Sequence, residues 1–288
     1  MLNYKMVIYS HSRLSTFEQC PLKFRFKYIE QLEPEMKETI ESYLGKKVHE
    51  TLEWIYREIL INKKEFSLDE IIEHYLEAWK KDFNREIKIV NGKLDAEHYF
   101  NKGIKFLIDY FLKYSPFKDN TVAIEKKITV KLDSDGKYLL QGYIDRLVHD
   151  KENNIFEIHD YKTGAVKTQE ELNRDRQLAL YSLGIWEMFE NVSDVHLVWH
   201  FLDLNKEMKS RRTIEELEQL KKEIIGLINR VEATTNFPPK PSCLCKWCEF
   251  RKYCPAIEQN PEYPNNEPSC KINSVEPVEN NYNDKNTF

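Results

Sequence analysis

Apolar positions keep a helical period through roughly the first 115 residues and a strand-like one after that. Residues 12–31, "SRLSTFEQCPLKFRFKYIEQ", predict a short helix, a break at Pro21 and a second turn. Residues 41–61 place Leu44, Val48, Leu52, Ile55 and Ile59 at three- and four-residue steps, the stripe of an amphipathic helix. "SLDEIIEHYLEAWKKDF" opens on Ser67 with Glu70 three residues later, a capping-box signature. A fourth helical stretch, "DAEHYFNKGIKFLIDYFLKY", ends at Pro116.

The period then changes. "TVAIEKKITVKLD", "YLLQGYIDRLVHD" and "NIFEIHDYKTG" are β-rich runs separated by the turn-like "SDGK" and "KENN", which predicts a three-stranded antiparallel meander. "RDRQLALYSLGIWEMFE" returns to helix, and "DVHLVWHFLDL" reads as a strand that "KEMKSRRT" could pair with. "TIEELEQLKKEIIGLINRVEA" is a long helix, and "FPPKPSCLCKWCEFRKYCP" a compact loop. From Glu258 the chain turns rich in Asn, Pro and Glu, so residues 258–288 are expected to be a disordered tail and 1–257 one domain. The predicted class is α/β, with a helical N-terminal part, a central mixed sheet flanked by helices, and a cysteine-bearing end.

Composition sharpens this. Of 288 residues, 41% are hydrophobic, enough for a sizeable core. The net charge of -5 argues against a general nucleic-acid binder, but its distribution does not. Residues 1–30 carry Lys5, Arg13, Lys23, Arg25 and Lys27 against Glu18 and Glu30, and residues 240–255 carry Lys240, Lys246, Arg251 and Lys252 against Glu249. Both patches surround cysteines. No secretory pattern opens the chain and no apolar run reaches membrane length, so a soluble cytoplasmic protein without membrane contact is expected. Six cysteines in a reducing compartment suggest metal or redox use rather than disulfides.

The chemistry concentrates in the meander. Asp160 and Lys162, two residues apart on a strand, share a face, and Asp145 on the preceding strand can converge with them. Two carboxylates side by side repel unless a cation lies between them. A hard divalent ion takes carboxylate oxygens, and a lysine beside it can position a water and stabilise an anion, a combination suited to phosphodiester hydrolysis. The bland reading is an Asp160–Lys162 salt bridge on a solvated face. The surrounding residues weigh against it: Gly142 precedes Asp145-Arg146, Thr163-Gly164 follows Lys162, and Gln177 and Tyr181 stand one helical turn apart.

That ordered set resembles the PD-(D/E)xK nuclease superfamily, specifically its RecB-like branch, which reads G-x-x-D-R, then D-Y-K-T-G, then Q-x-x-x-Y. The branch also places a histidine in a G-x-x-x-H-x-x-L-E setting, matched here by "GKKVHETLE" from Gly45 to Glu53. The resemblance implies a restriction-endonuclease-like core and a Mg2+- or Mn2+-dependent deoxyribonuclease acting on ends or single strands. It implies His49, Asp145, Asp160 and the Tyr161 carbonyl as metal ligands, with Lys162 at the attacking water. Gln177, Tyr181 and Arg146 would meet DNA. Glu125 sits where the branch often has a glutamate, either as an outer partner of the site or as a strand-edge charge.

Cys245, Cys248 and Cys254 have metal-site spacing. Local spacing favours zinc with Cys243 as fourth ligand, although Cys243 and Cys245 are two apart, a tight fit on one ion. The resemblance selects differently. CRISPR-associated exonucleases and AddB-type nuclease domains carry an N-terminal cysteine in an S-x-x-x-x-C-P context that "STFEQCPLKFRF" fits. It implies a 4Fe-4S cluster on Cys20, Cys245, Cys248 and Cys254, leaving Cys243 and Cys270 spare. A role in DNA repair, recombination or CRISPR-type processing follows by resemblance, with protein partners in such a complex. The alternative function is a DNA-binding or assembly subunit with little activity of its own. The chain has no P-loop to drive a helicase.

Overall fold

The computed structural model describes residues 8–259. The expected tail therefore lies outside the described residues from 260 onward, and with it Cys270.

A six-stranded sheet runs β1 (Ile8–Tyr9), β5 (Leu139–Asp150), β6 (Ile155–Lys162), β7 (Asp194–Phe201) and β8 (Lys206–Ser210), with β4 (Thr121–Lys131) paired to β5. β4, β5 and β6 are antiparallel neighbours, which is the predicted meander. β6 and β7 are parallel, from Ile155–Asp194 to Lys162–Phe201. Their connection carries α6 (Gln169–Asn173) and α7 (Gln177–Met188) across one face of the sheet. A parallel pair needs such a crossover, and strands covered on both faces lose polar alternation. In β6 every residue from Ile158 to Tyr161 is buried. The sheet is thus mixed, with helices on both faces, as the sequence predicts.

One face packs against α7 and α8 (Ile214–Ala233), in a core that includes Ile128, Ile144, Leu178, Leu197 and Leu227. Leu178 to Ile185 of α7 are all buried, which explains its unbroken apolar sequence. The other face packs α3 (Ile40–Asn62), α4 (Leu68–Asp82) and α5 (Ala96–Tyr114) around Val48, Leu52, Tyr75, Phe106 and Tyr161. The Ser67–Glu70 capping box forms as expected, and Thr213 with Glu216 opens α8 in the same way. A two-residue sheet, β2 (Glu38–Thr39) with β3 (Ile87–Lys88), had no periodic signal, because two residues are too few to show one.

The ends of the chain meet. α1 (His11–Gln19) and α2 (Pro21–Phe24) lie beside the cysteine loop, which closes with α9 (Pro255–Gln259). Phe26 packs on Phe250 and Tyr253, and Glu35 N donates to the Glu249 carbonyl at 2.8 Å. Much of the N-terminal positive charge is answered locally, since Lys23 and Lys27 both pair with Glu249.

Two helical glycines make opposite predictions. A Cβ on Gly103 of α5 would lie 2.0 Å from Tyr75 Oη and 2.9 Å from Leu44 Cδ1, so the three helices close on it. Gly103→Ala should destabilise by about 1–3 kcal/mol despite the better helix former. Gly226 of α8 has nothing within 4 Å of such an atom, and Gly226→Ala should gain about 0.5–1 kcal/mol. Urea midpoints of the two variants check both signs; a stabilised Gly103→Ala would refute the packing.

Candidate active site

The site forms where β5 and β6 part. Their last paired residues are Arg146 and His159, while β6 goes on pairing with β7 as far as Lys162. Asp145 and Asp160 sit just past this fork. The Tyr161 N–H, which faces no strand there, donates to Asp145 Oδ2 at 3.0 Å. From α3, His49 reaches across the fork. Its Nε2 is 2.8 Å from the Tyr161 carbonyl and its Nδ1 is 3.4 Å from Asp145 Oδ2. His49, Asp145 and the Tyr161 carbonyl are therefore mutual neighbours.

Asp160 is buried on the α7 side. Lys162 Nζ donates to its Oδ1 at 2.9 Å and to Gln177 Oε1 at 3.2 Å, and Gln177 Nε2 reaches the same Oδ1 at 3.3 Å. The ammonium is also 2.7 Å from Asp160 Oδ2, but off the line a hydrogen bond needs. That oxygen thus has charge contact and no hydrogen-bond donor, an unusual state for a buried carboxylate. Burial pushes the Asp160 carboxyl up to about 6, opposed by Lys162 and aided by Asp145. Burial pulls the Lys162 ammonium down, but the charge and hydrogen bond of Asp160 outweigh it, and its pKa is raised. Lys162 is a cation at neutral pH, suited to holding an anion or a water and not to removing a proton. The salt bridge of the bland reading exists, within a site that holds more than a salt bridge.

α7 begins at Gln177, its N-cap Arg176 making no side-chain capping bond, and Asp175 Oδ1 accepts the Gln177 N–H at 2.9 Å. The helix thus starts later than the pattern suggests, with Gln177 beside Lys162. Tyr181, one turn on, packs its ring on Gly142, where a Cβ would lie 2.3 Å from Tyr181 Cε1. Thr163 Oγ1 in turn lies 3.1 Å from where Gly45 would carry a Cβ.

Arg146 requires a correction. It was expected at DNA, but it is 1% exposed and cannot reach a phosphate. Its guanidinium lies over the Tyr56 ring at 4.4 Å, Nε donates to Tyr161 Oη at 2.9 Å, and NH1 pairs with Asp119. NH2 is 2.8 Å from His159 Nδ1. Arginine only donates, so His159 Nδ1 accepts and its ring proton sits on Nε2, facing Glu157. Nothing in the local sequence separates a buried arginine from a DNA contact; the alternation of β5 gives the sole hint.

Two acids enter beyond the assigned ligands. Glu125 has φ +44°, in the left-handed region that costs a side-chain-bearing residue energy. It lines one cavity with His49, Glu53 and Asp145. Burial, then the charges of Asp145 and Glu53, push its carboxyl up to about 7. Glu53, quoted within the histidine motif but given no role by it, lines the same cavity and pairs with Arg57.

The donor set of an imidazole nitrogen, two carboxylates and a carbonyl, with one carboxylate oxygen buried and undonated, fits a hard divalent ion. As they stand, no three His, Cys, Asp or Glu side chains among the described residues are gathered tightly enough for one ion. The four thiols of Cys20, Cys245, Cys248 and Cys254 are free and line a single cleft. The backbone N–H of Lys240 donates to Cys20 Sγ and that of Ser242 to Cys245 Sγ, both at 3.4 Å. Cys243 is not among the residues lining the cleft.

The buried imidazoles give a titration prediction. Burial, then the Arg146 charge, holds His159 down to about 4, and burial with His159 and Arg146 holds His200 well below its ordinary value. The unfolded chain then binds these protons first, so their contribution to stability is lost as pH falls from about 6.5 toward 4. Asp160 and Glu125, shifted upward, act with the opposite sign over the same range. Because the two effects offset, histidine NMR is the better measure: the His159 imidazole should titrate near 4. A midpoint near 6.5 would contradict its burial against Arg146.

No curated protein matches the sequence. Among solved structures the chain is similar to SSO0001, with 16% identity over 89% of each chain and a TM-score of 0.40. It is also similar to a candidate exonuclease from Eubacterium rectale, with 11% identity over 86% of this chain and 90% of that one and a TM-score of 0.48. The profile of the PD-(D/E)XK nuclease superfamily matches residues 8–255, and the chain belongs to that superfamily.

Proposed function

We propose that this nuclease is a Mg2+- or Mn2+-dependent deoxyribonuclease of the RecB-like branch, acting on ends or single strands. The observation that carries the reading is the meeting of His49, Asp145 and the Tyr161 backbone at the β5–β6 fork, with the Asp160–Lys162 pair on the residues either side of Tyr161. His49, Asp145, Asp160 and the Tyr161 carbonyl would hold the ion. When bound, it would polarise the phosphate and lower the pKa of a water. Lys162, fixed by Asp160 and Gln177, holds its positive charge where the attacking water and phosphate meet. Gln177 keeps that ammonium from folding back onto Asp160 alone. Gln177 and Tyr181 stand beside the path of the strand.

Cys20, Cys245, Cys248 and Cys254 are proposed to hold a 4Fe-4S cluster that staples the first helix to the last loop. The supporting observations are their free thiols around one cleft and the two N–H to sulfur contacts, which suit thiolates. The role would be structural, because metal binding energy is also folding energy. The biological setting would be DNA repair, recombination or CRISPR-type processing in the cytoplasm, with protein partners in such a complex. No helix among the described residues is long and apolar enough to cross a membrane.

Two measurements test this. On end-labelled DNA with Mg2+ or Mn2+, Asp160→Ala and Lys162→Ala should each lose at least about 100-fold in cleavage with the fold intact. Wild-type rates in Asp160→Ala would refute the site. Anaerobically purified protein should contain iron and acid-labile sulfide, and Cys20→Ser should lose both together with several degrees of thermal stability. A colourless protein with zinc and no iron would refute the cluster.

A further inference from the structure

The sheet has an opening in its interior. β4 pairs with one edge of β5 from Leu139 to Val148. The other edge is shared end to end, with β1 covering Leu139 and Leu140 and β6 covering Arg146 to Asp150. Between them, residues 141–145 meet no strand on that edge among the described residues. Alternate backbone groups of a strand point to each side, so this stretch turns peptide N–H and C=O groups into the gap. α1 begins at its mouth, capped by Ser10, with no acid in its first turn.

The gap continues as a groove of about 640 Å3, lined by Arg13, Tyr28, Tyr143, Gln177 and Tyr181. Gln177 bonds both Asp160 and Lys162, so one end of the groove is the candidate active site. Most of its aromatic rings already have work. Tyr28 packs on Phe24 and under Arg13, and Tyr181 is 7% exposed against Gly142. Tyr143 differs. It is 50% exposed, and no hydrogen bond or ring contact of its side chain occurs among the described residues. It precedes Asp145 by two residues, so both stand on one face of β5, roughly 7 Å apart along the strand. An unpartnered aromatic face one short step from a metal-ligating carboxylate has little value to the core.

We propose that Tyr143 is a base-stacking platform, positioning the nucleotide next to the scissile phosphate in the gap between β1 and β6. This inference rests on the nuclease reading above. Every base has a π-face, so such a platform holds a strand without reading its sequence. A base inside a duplex is already stacked on its neighbours, so the platform takes an unpaired or flipped base. Tyr143 acts through position; the chemistry stays with Asp145, Asp160 and Lys162.

The test uses a short single strand carrying 2-aminopurine, whose fluorescence is quenched by stacking, with Ca2+ replacing Mg2+ to prevent cutting. Wild type and Tyr143→Phe should quench the probe as the strand binds. Tyr143→Ala, and Tyr143→Leu as a variant that keeps bulk without the ring face, should lose the quench and bind about 5- to 100-fold more weakly. With Mg2+, kcat/KM should fall by a comparable factor. Quenching and affinity at wild-type level in both variants would overturn the platform while leaving the nuclease intact. A Tyr143→Phe as weak as Tyr143→Ala would also overturn it, by making the hydroxyl the contact. A wild type that neither binds nor cuts DNA would overturn the nuclease reading itself.

Discussion

Arg146 is the constraint around which the site is built. A guanidinium at 1% exposure keeps its charge, so its surroundings must supply acceptors or the fold loses several kcal/mol. They come from every side: Asp119 just before β4 and Thr121 at its start, Tyr161 and His159 from β6, and the Tyr56 ring from α3. Satisfying one arginine thus ties α3 and three stretches of the sheet together directly behind the carboxylates. Tyr161 transmits the effect. Its hydroxyl is held by Arg146 and Tyr110, while its backbone N–H and carbonyl meet Asp145 and His49. Tyr161 is therefore clamped at the ring end by the arginine and at the backbone end by Asp145 and His49.

The same logic explains why these residue types come as a set. The arginine of G-x-x-D-R is bonded to the tyrosine of D-Y-K-T-G. The glycine of G-x-x-D-R is flat because the tyrosine of Q-x-x-x-Y lies on it. Gly45, four residues before His49, meets Thr163, one residue after Lys162. Each motif thus supplies a shape that another motif needs. The electrostatics are less settled than the packing. Asp160 and Glu125 are pushed up toward neutrality, and Glu125 is held in a left-handed backbone conformation beside Asp145. Crowded acids of this kind repel one another in a poorly solvated pocket, and a bound cation is what would relieve them.

Much of this was legible in the sequence because long elements announce themselves. The stripe of α3, the capping box of α4 and the turns of the meander are local signals, and local signals need no tertiary information. The neighbourhood of His49, Asp145 and Tyr161 could be read because ordered residue types survive where periodicity says little. Arg146 was misread for the opposite reason: its partners Asp119, Tyr56 and His159 are scattered in sequence and meet only in the fold. The parallel pairing of β6 with β7 and the φ of Glu125 are likewise products of long-range packing. Gln177 fell between, its place beside Lys162 readable but the start of its helix, after an uncapped Arg176, without a distinctive pattern.

The cysteine cleft and the groove beside β5 are not independent. α1 separates them: Ser10 and Arg13 at its start border the groove, and Cys20 follows its last residue. α1 is nine residues long. Phe24, just beyond, stacks on Phe237 near the cysteine loop, and Arg13 lies over the Phe24 ring as well as Tyr28. A group that fixed Cys20 to the C-terminal loop would therefore hold the far end of α1, and with it one wall of the groove. Loss of that tie would act on the groove wall before it acted on the carboxylates, which are anchored separately through Arg146 and α7. The C-terminal loop, distant from Asp160 in the chain, thus meets the end of the helix whose start borders the groove.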